Sequence, residues 1–170
     1  MRFQTKNGVL IAQANGETLR IEPWGKDSLR VRATMLPEFS GKDWALTEVP
    51  EKTEAKAEQF EVDHLEIDGS MGKRTSASIT NGKIRAVVNF AGVITFYKEE
   101  QEILREYHRC YDGTISKESR CLKTVNREWK GVIGGSEYSL NLKFESNDGE
   151  KIFGMGQYLS LIHISEPTRR

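Results

Sequence analysis

The fold class is decided by the stretch Glu137-Tyr138-Ser139-Leu140-Asn141-Leu142-Lys143-Phe144-Glu145, in which apolar and polar residues alternate without a break. A period of two residues is that of a pleated β-strand with one buried face. The same alternation recurs in Ser28–Met35 and in Lys83–Phe90. These three segments therefore predict β-strands whose apolar side chains face a common interior.

Turn signals separate the alternating segments. Asparagine or aspartate followed by glycine favours the two-residue type I′ hairpin turn, because both central residues need positive φ. The chain contains six such pairs: Asn7-Gly8, Asn15-Gly16, Asp68-Gly69, Asn81-Gly82, Asp112-Gly113 and Asp148-Gly149. Strands with one buried face normally stack as two sheets about 10 Å apart. The sequence therefore predicts an all-β protein, an antiparallel β-sandwich.

Two segments leave more than one interpretation open. Glu48–Glu61 is charged and contains alanine, so it fits a short surface helix, an exposed edge strand or a loop. Lys98–Arg109 has a helix-forming composition, but the strand-like residues before it favour a hairpin turning near Glu99–Glu102. Tertiary context often overrides helix propensity, so we predict the hairpin.

Composition and charge exclude several classes of function. The 25 Lys and Arg residues balance the 25 Asp and Glu residues, so no field of one sign attracts nucleic acid or an anionic membrane. Two cysteines, Cys110 and Cys121, are too few for a disulfide scaffold. The N-terminus lacks the apolar run of a signal peptide. No apolar run in the sequence approaches the ~20 residues needed to span a bilayer. We expect a single cytoplasmic domain with neither nucleic acid nor membrane as a partner.

The last twelve residues stand apart from the rest. Leu159–Arg169 resembles the conceptual translation of a transposon-end adapter used to prepare DNA sequencing libraries, and Arg170 continues the same reading frame. Segments of that origin are excluded from fold reasoning. We therefore expect the natural domain to occupy residues 1–158, with residues 159–170 an artefact and His163 without a role. The alternative is a genuine strand through Leu159–Ile164.

Three segments together resemble the N-terminal domain of glycoside hydrolase family 31, the α-glucosidase and α-xylosidase family. The first is Leu19–Thr34, an apolar strand, a Trp-Gly turn and an Arg-Val-Arg strand. The second is Ile94–Tyr97 followed by Ile103–Glu106, which is similar to a hairpin of the family. The third runs from Tyr138 to Ile152-Phe153-Gly154-Met155-Gly156-Gln157, which resembles the family's Gly-x-Gly-Glu/Gln signature.

The resemblance implies a galactose-mutarotase-like sandwich, incomplete at its C-terminus, that packs on a (β/α)8 barrel. In the family, the barrel supplies two aspartates for a retaining mechanism, which needs carboxyls about 5–5.5 Å apart. No segment of this chain matches the parts of the family that carry them. We therefore expect a non-catalytic fragment, without catalytic residues or a cofactor, from an enzyme that acts on α-linked xylosides or glucosides.

The candidate substrate-binding residues are few. In the family a loop of this domain reaches the mouth of the barrel, so Phe39 and Trp44 are candidates for contact with sugar. Gln157 is a third candidate, and Gly154 and Gly156 are expected to shape the turn into the barrel.

The remaining chemistry-bearing residues are expected to have structural roles. Trp24 and Trp129 are expected to pack. The histidines His64 and His108 lack the spacing of a metal site, and the two cysteines are expected to be free thiols. The glycine-rich stretch Gly131–Gly135 lacks the Lys-Ser/Thr pair of a phosphate loop and is expected to form a turn.

Two other functions compete with the domain fragment. One is a free-standing carbohydrate-binding module. The other is an active aldose mutarotase, which needs a general acid and base across one sugar, commonly His with Glu. Neither His64 nor His108 lies in a motif that suggests such a pair, so the mutarotase ranks last.

Overall fold

A computed structural model describes residues 1–41, 53–65, 69–108 and 124–146, together with Gly149. These residues form eleven β-strands. The strands are β1 (Arg2–Lys6), β2 (Val9–Ala14), β3 (Glu17–Pro23), β4 (Leu29–Thr34), β5 (Lys56–Leu65), β6 (Met71–Asn81), β7 (Ile84–Val88), β8 (Ile94–Lys98), β9 (Gln101–Arg105), β10 (Arg127–Gly131) and β11 (Tyr138–Leu142). Within the described ranges, no helix is long and apolar enough to cross a membrane.

The strands pair antiparallel with their neighbours in the sequence. Strands β1 to β4 form a four-stranded sheet, β5 to β9 form a five-stranded sheet, and β10 and β11 form a two-stranded sheet. The four-stranded and five-stranded sheets are meanders and the two-stranded sheet is a single hairpin, which are the arrangements that turns between successive strands produce.

The core lies between the four-stranded and the five-stranded sheet. Its buried members from the first sheet are Phe3, Leu10, Ala12, Leu19 and Ile21, and those from the second are Ala77, Ile79, Ala86, Val88 and Ile94. On β3 the alternation is plain, because Leu19 and Ile21 face inward while Arg20 and Glu22 form ion pairs on the outer side. The predicted antiparallel β-sandwich is confirmed.

The first two turns have the predicted geometry. Asn7-Gly8 has φ values of 52° and 70°, and Asn15-Gly16 has 52° and 83°. Positive φ at both central residues is the requirement of a type I′ turn. A side chain at Gly8 would also place its Cβ 2.7 Å from the carbonyl oxygen of Ala55, so this turn packs directly on the chain that enters β5.

The Asn81-Gly82 turn differs from the prediction by one residue. Asn81 is the last residue of β6, and the turn consists of Gly82 and Lys83. Of these residues only Gly82 has positive φ, 57°, which is the pattern of a type II′ turn with glycine first. Asp112-Gly113, Asp68 and Asp148 lie outside the described residues.

Asn81 stays in the strand because its side chain has partners on another turn. Its Nδ2 donates to the carbonyl oxygens of Gly25 at 2.7 Å and of Ser28 at 2.6 Å, and the residue is buried. Asp27 Oδ1 accepts from the backbone N–H of Lys83 at 2.8 Å. These bonds join the turn after β3 to the turn after β6, and so join the two stacked sheets.

Replacing Asn81 with Ala is expected to lower the free energy of unfolding by about 1–3 kcal/mol, because the buried side chain loses both hydrogen bonds that it donates to the turn after β3. Urea unfolding followed by tryptophan fluorescence measures the change. The matched control is Ser139→Ala, which removes one exposed hydrogen bond and is expected to change stability by less than about 0.5 kcal/mol. Equal midpoints for Asn81→Ala and the unchanged chain would contradict this role.

The two ambiguous segments resolve into strands where the structure describes them. The hairpin of β8 and β9 turns at Glu99 and Glu100, so the prediction of a hairpin within Lys98–Arg109 is confirmed, with Arg109 itself outside the described residues. Lys56–Glu61 belongs to β5 at the edge of the five-stranded sheet. The edge-strand alternative is therefore the right one there, and residues 48–52 lie outside the described ranges.

The strand that decided the fold class is present, but its predicted burial is wrong. Residues 138–142 form β11, yet Tyr138, Leu140, Leu142 and Phe144 are each 41–45% exposed. The alternation reports which face of a strand is apolar, whereas burial also needs a second layer over that face. The described residues leave this face only partly covered.

Candidate functional site

Among the described residues, the most extensively bonded polar cluster lies where the three sheets meet. It consists of Glu17 at the start of β3, Glu106 just after β9, Asn126 just before β10 and Arg127 at the start of β10; we call it the Arg127 junction. Glu106, Asn126 and Arg127 are all buried. Burying an ionised group is costly unless it is paired and hydrogen-bonded, so the contacts of each group decide what the cluster does.

The guanidinium of Arg127 bonds to both other sheets. Its Nε donates to Glu17 Oε1 at 2.6 Å, and its NH1 donates to both carboxylate oxygens of Glu106 at 2.6 Å. Its NH2 donates to the carbonyl oxygen of Gly92 at 2.8 Å and to Glu17 Oε2 at 3.3 Å. One guanidinium therefore joins the four-stranded sheet, the five-stranded sheet and the hairpin that follows.

The remaining bonds complete the coordination of the two carboxylates. Glu106 Oε2 also accepts from Asn126 Nδ2 at 2.5 Å and from the backbone N–H of Ile94 at 2.9 Å. Trp129 Nε1 donates to Glu17 Oε1 at 3.2 Å. Charge-assisted bonds of this kind are about twice as strong as neutral ones.

The electrostatics of the junction favour the charged arginine. Burial opposes the charge on Arg127, but the carboxylates of Glu106 and Glu17 outweigh this effect and raise the pKa of Arg127 above its ordinary value. The stabilising contribution of a group with a raised pKa is present at every pH below its ordinary pKa. It is lost only in strong alkali, so this group adds no pH dependence in the physiological range.

The arrangement suits a structural role and not catalysis. Retaining glycoside hydrolysis uses two carboxyls that flank the scissile bond directly. Here the guanidinium of Arg127 bonds to Glu17 and to Glu106 at once, so it occupies the space where a substrate would lie. In the part of the chain that the structure describes, no group of three His, Cys, Asp or Glu side chains could hold a metal ion.

An apolar groove of about 130 Å³ opens beside the junction. Its apolar walls come from β3, β4, β8, β11 and Phe144 just beyond β11, and Glu106 and Arg127 lie at its polar end. The apolar residues lining it are Leu19, Val31, Ala33, Ile94, Phe96, Leu140, Leu142 and Phe144. The groove is thus bordered by both stacked sheets and by the β10–β11 hairpin.

Phe39 lies above the outer face of the four-stranded sheet. The guanidinium of Arg32 stands over its ring, 5.1 Å from the centroid, and Arg32 NH2 donates to Glu22 at 2.7 Å. Arg30 stands over the ring of Trp24 in the same way, 4.5 Å from the centroid. A cation over an aromatic face is attracted by the ring quadrupole, so Phe39 is held against the sheet by Arg32.

The other predicted site residues are not brought together with Phe39. Trp44, Gly154, Gly156 and Gln157 lie outside the described residues, as do both cysteines. The remaining aromatic candidates have structural neighbours: Trp129 meets Tyr138 edge-to-face with ring centroids 6.4 Å apart, and the His64 ring lies 4.6 Å from that of Phe90.

Sequence reasoning missed the Arg127 junction. Glu17 and Arg127 are 110 positions apart, and Glu106 and Arg127 are 21 positions apart. No motif or spacing connects residues so distant. The available signal was weak, namely that Glu106 ends a strand-like segment that also supplied part of the family resemblance.

This chain matches known proteins over most of its own length and over a small part of theirs. No protein-family model matches it. An "Uncharacterized family 31 glucosidase ORF2" of Pseudescherichia vulneris is 37% identical over 151 residues, which cover 84% of this chain and 26% of that protein. A crystal structure of a GH31 α-xylosidase from a soil metagenome, complexed with xylose, matches with a TM-score of 0.75. The identity to it is 38%, and the match covers 93% of this chain and 22% of that one.

Proposed function

We infer that this chain, a relative of the glycoside hydrolase family 31 enzymes, is a non-catalytic N-terminal domain fragment of such a glycosidase. The observation that carries the inference is the unequal coverage of the matches. They take in 84–93% of this chain but only 22–26% of the relatives. The chain therefore spans about a quarter of the length of the relatives it matches.

The function that we propose for the fragment is to pack on and shape a substrate site that lies elsewhere in the parent enzyme. The parent is proposed to be a retaining α-glycosidase that acts on α-linked xylosides or glucosides, with its two carboxyls on a (β/α)8 barrel. The Arg127 junction supports a non-catalytic role for this domain, because both of its carboxylates are bonded to the guanidinium. No cofactor enters the proposal.

Three residues are proposed to face the substrate in the parent enzyme: Phe39, Trp44 and Gln157. Phe39 is supported by its position on the outer side of the four-stranded sheet, where the guanidinium of Arg32 stands over its ring. Gly154 and Gly156 are proposed to form the turn into the barrel. The domain boundary at residue 158 and a cytoplasmic location are parts of the same proposal, as is the absence of nucleic-acid and membrane partners.

The isolated chain is expected to hydrolyse neither aryl α-xylosides nor aryl α-glucosides above the rate of buffer. It is also expected to show no micromolar binding in calorimetric titration with xylose, glucose or their α-linked oligosaccharides. The α-xylosidase from the soil metagenome serves as the positive control for both measurements. Micromolar binding by the chain alone would instead identify it as a free-standing carbohydrate-binding module.

A second test uses the gene. We expect an independent clone, prepared without adapter ligation, to continue in frame past Tyr158 into a barrel with two catalytic aspartates. A stop codon directly after that position would overturn the proposed function, and a sequence identical to residues 159–170 would overturn the proposed boundary.

A further inference from the structure

We propose that the apolar face of β11 is the surface on which the remaining polypeptide of the parent enzyme docks. This docking face consists of Val31 on β4 with Tyr138, Leu140, Leu142 and Phe144. The inference rests on the proposed function, because it takes the rest of a family 31 enzyme as the partner. The inference adds which surface of the domain contacts the rest of the enzyme.

The exposure of these side chains is the first argument. Five large apolar residues are each 38–45% exposed, and four of them occupy every second position from Tyr138 on β11 to Phe144 just beyond it. Burial of apolar surface contributes about 25 cal/mol per Å², so a partner that covers this face would stabilise the protein. Contiguous exposed apolar surface of this kind marks an interaction site.

The second argument is that the face is rigidly presented. The chain beyond β11 bonds to the end of β9 and the chain just after it. Tyr107 N donates to the carbonyl oxygen of Lys143 at 2.9 Å, and Glu145 N donates to that of Arg105 at 2.8 Å. The Arg127 junction fixes the other strand of the hairpin at its base. A preorganised surface loses little conformational entropy when it docks.

The nature of the partner follows from the two faces of the hairpin. On one face, Glu128 forms ion pairs with Lys130 at 3.5 Å and with Lys143 at 3.6 Å. These neighbouring cations lower the pKa of Glu128. On the other face, Arg127 lies opposite Leu142 but is buried and paired with Glu106, so the docking face offers a partner mainly apolar contacts. An apolar surface fits it, and three quarters of the relatives' length lies beyond the part that this chain matches.

A chimera tests the docking face. Residues 1–158 of this chain replace the matched portion of the soil-metagenome α-xylosidase, and the chimera is compared with its Leu140→Glu/Leu142→Glu and Ser139→Glu variants. The double variant is expected to lose at least about tenfold in hydrolysis of an aryl α-xyloside and to split the thermal transition in two, because docking would bury unpaired charges. Ser139→Glu, on the polar face opposite Lys130, is expected to stay within about twofold.

The 170-residue chain provides the control for folding. Leu140→Glu/Leu142→Glu should leave its circular dichroism unchanged and keep a single cooperative thermal transition, since over 40% of each side chain is already in contact with water, and should reduce light scattering from self-association. A double variant that unfolds in this background would overturn the assignment of an exposed face.

The outcomes of the chimera separate the two proposals. If the unsubstituted chimera hydrolyses the xyloside and the double variant does so equally well, the docking face is wrong and the proposed function stands. If the unsubstituted chimera neither folds nor hydrolyses, the proposed function fails and the docking face fails with it. A discrete dimer of the 170-residue chain through β11, with an unaffected chimera, would make a second copy the partner and overturn the inference.

Discussion

Replacing Glu106 with Gln is expected to lower the free energy of unfolding by about 3–5 kcal/mol, the cost of removing one partner of a buried ion pair. Glu106 is only 2% exposed, and its Oε2 accepts three hydrogen bonds. Glutamine keeps the shape of the side chain but replaces one oxygen with an NH₂ group. That group would face a donor of Arg127, Asn126 or the backbone, so the loss includes a repulsive contact.

The measurement is equilibrium unfolding in urea, followed by tryptophan fluorescence and by circular dichroism. The control is Lys130→Gln, which removes an exposed ion pair with Glu128 and is expected to cost less than about 1 kcal/mol. If the two variants lost equal stability, Glu106 would not be the buried centre of a network. Native-state hydrogen exchange of the Glu106 variant should show the largest loss of protection in residues 126–145.

The junction specifies geometry more than it adds net stability. Well-packed apolar residues can replace a buried ion pair at little or no cost in stability, so the net gain from Arg127 with its two glutamates is modest. A network of directional bonds, however, allows one arrangement of the three sheets. The orientation of the β10–β11 hairpin, and of the docking face that it carries, depends on that arrangement.

Local chemistry made much of the sandwich predictable from the sequence. Asn7-Gly8 and Asn15-Gly16 specify their own turns because both residues tolerate positive φ. The alternation in Lys83–Phe90 placed Ala86 and Val88 on the inner face, where both are buried. These features depend on neighbours within a few positions, and such neighbours can be read from the sequence.

Long-range features could not be predicted in the same way. Asn81 reads as a turn residue, yet its bonds to Gly25 and Ser28, more than fifty positions away, keep it in β6. The Arg127 junction combines residues from three sheets. The burial predicted for β11 failed for a related reason, because alternation marks the apolar face and says nothing about which layer covers it.

A comparison of two isoleucines tests where the core lies. Ile21→Ala is expected to lower the free energy of unfolding by about 2–5 kcal/mol, through lost burial and the cavity left behind. Ile21 is completely buried between Leu10 on β2 and Val31 on β4 and belongs to the cluster that joins the two stacked sheets. Neighbouring strands hold their backbones in register, so the site cannot collapse to fill the space.

The matched control is the same substitution at Ile133, whose side chain is fully exposed at the tip of the β10–β11 hairpin. Ile133→Ala removes the same atoms without making a cavity, so it is expected to change stability by less than about 0.5 kcal/mol. Urea unfolding of both variants measures the difference directly. The two substitutions differ only in their position in the fold. Equal losses in the free energy of unfolding would therefore mean that the apolar interior does not lie between the four-stranded and five-stranded sheets.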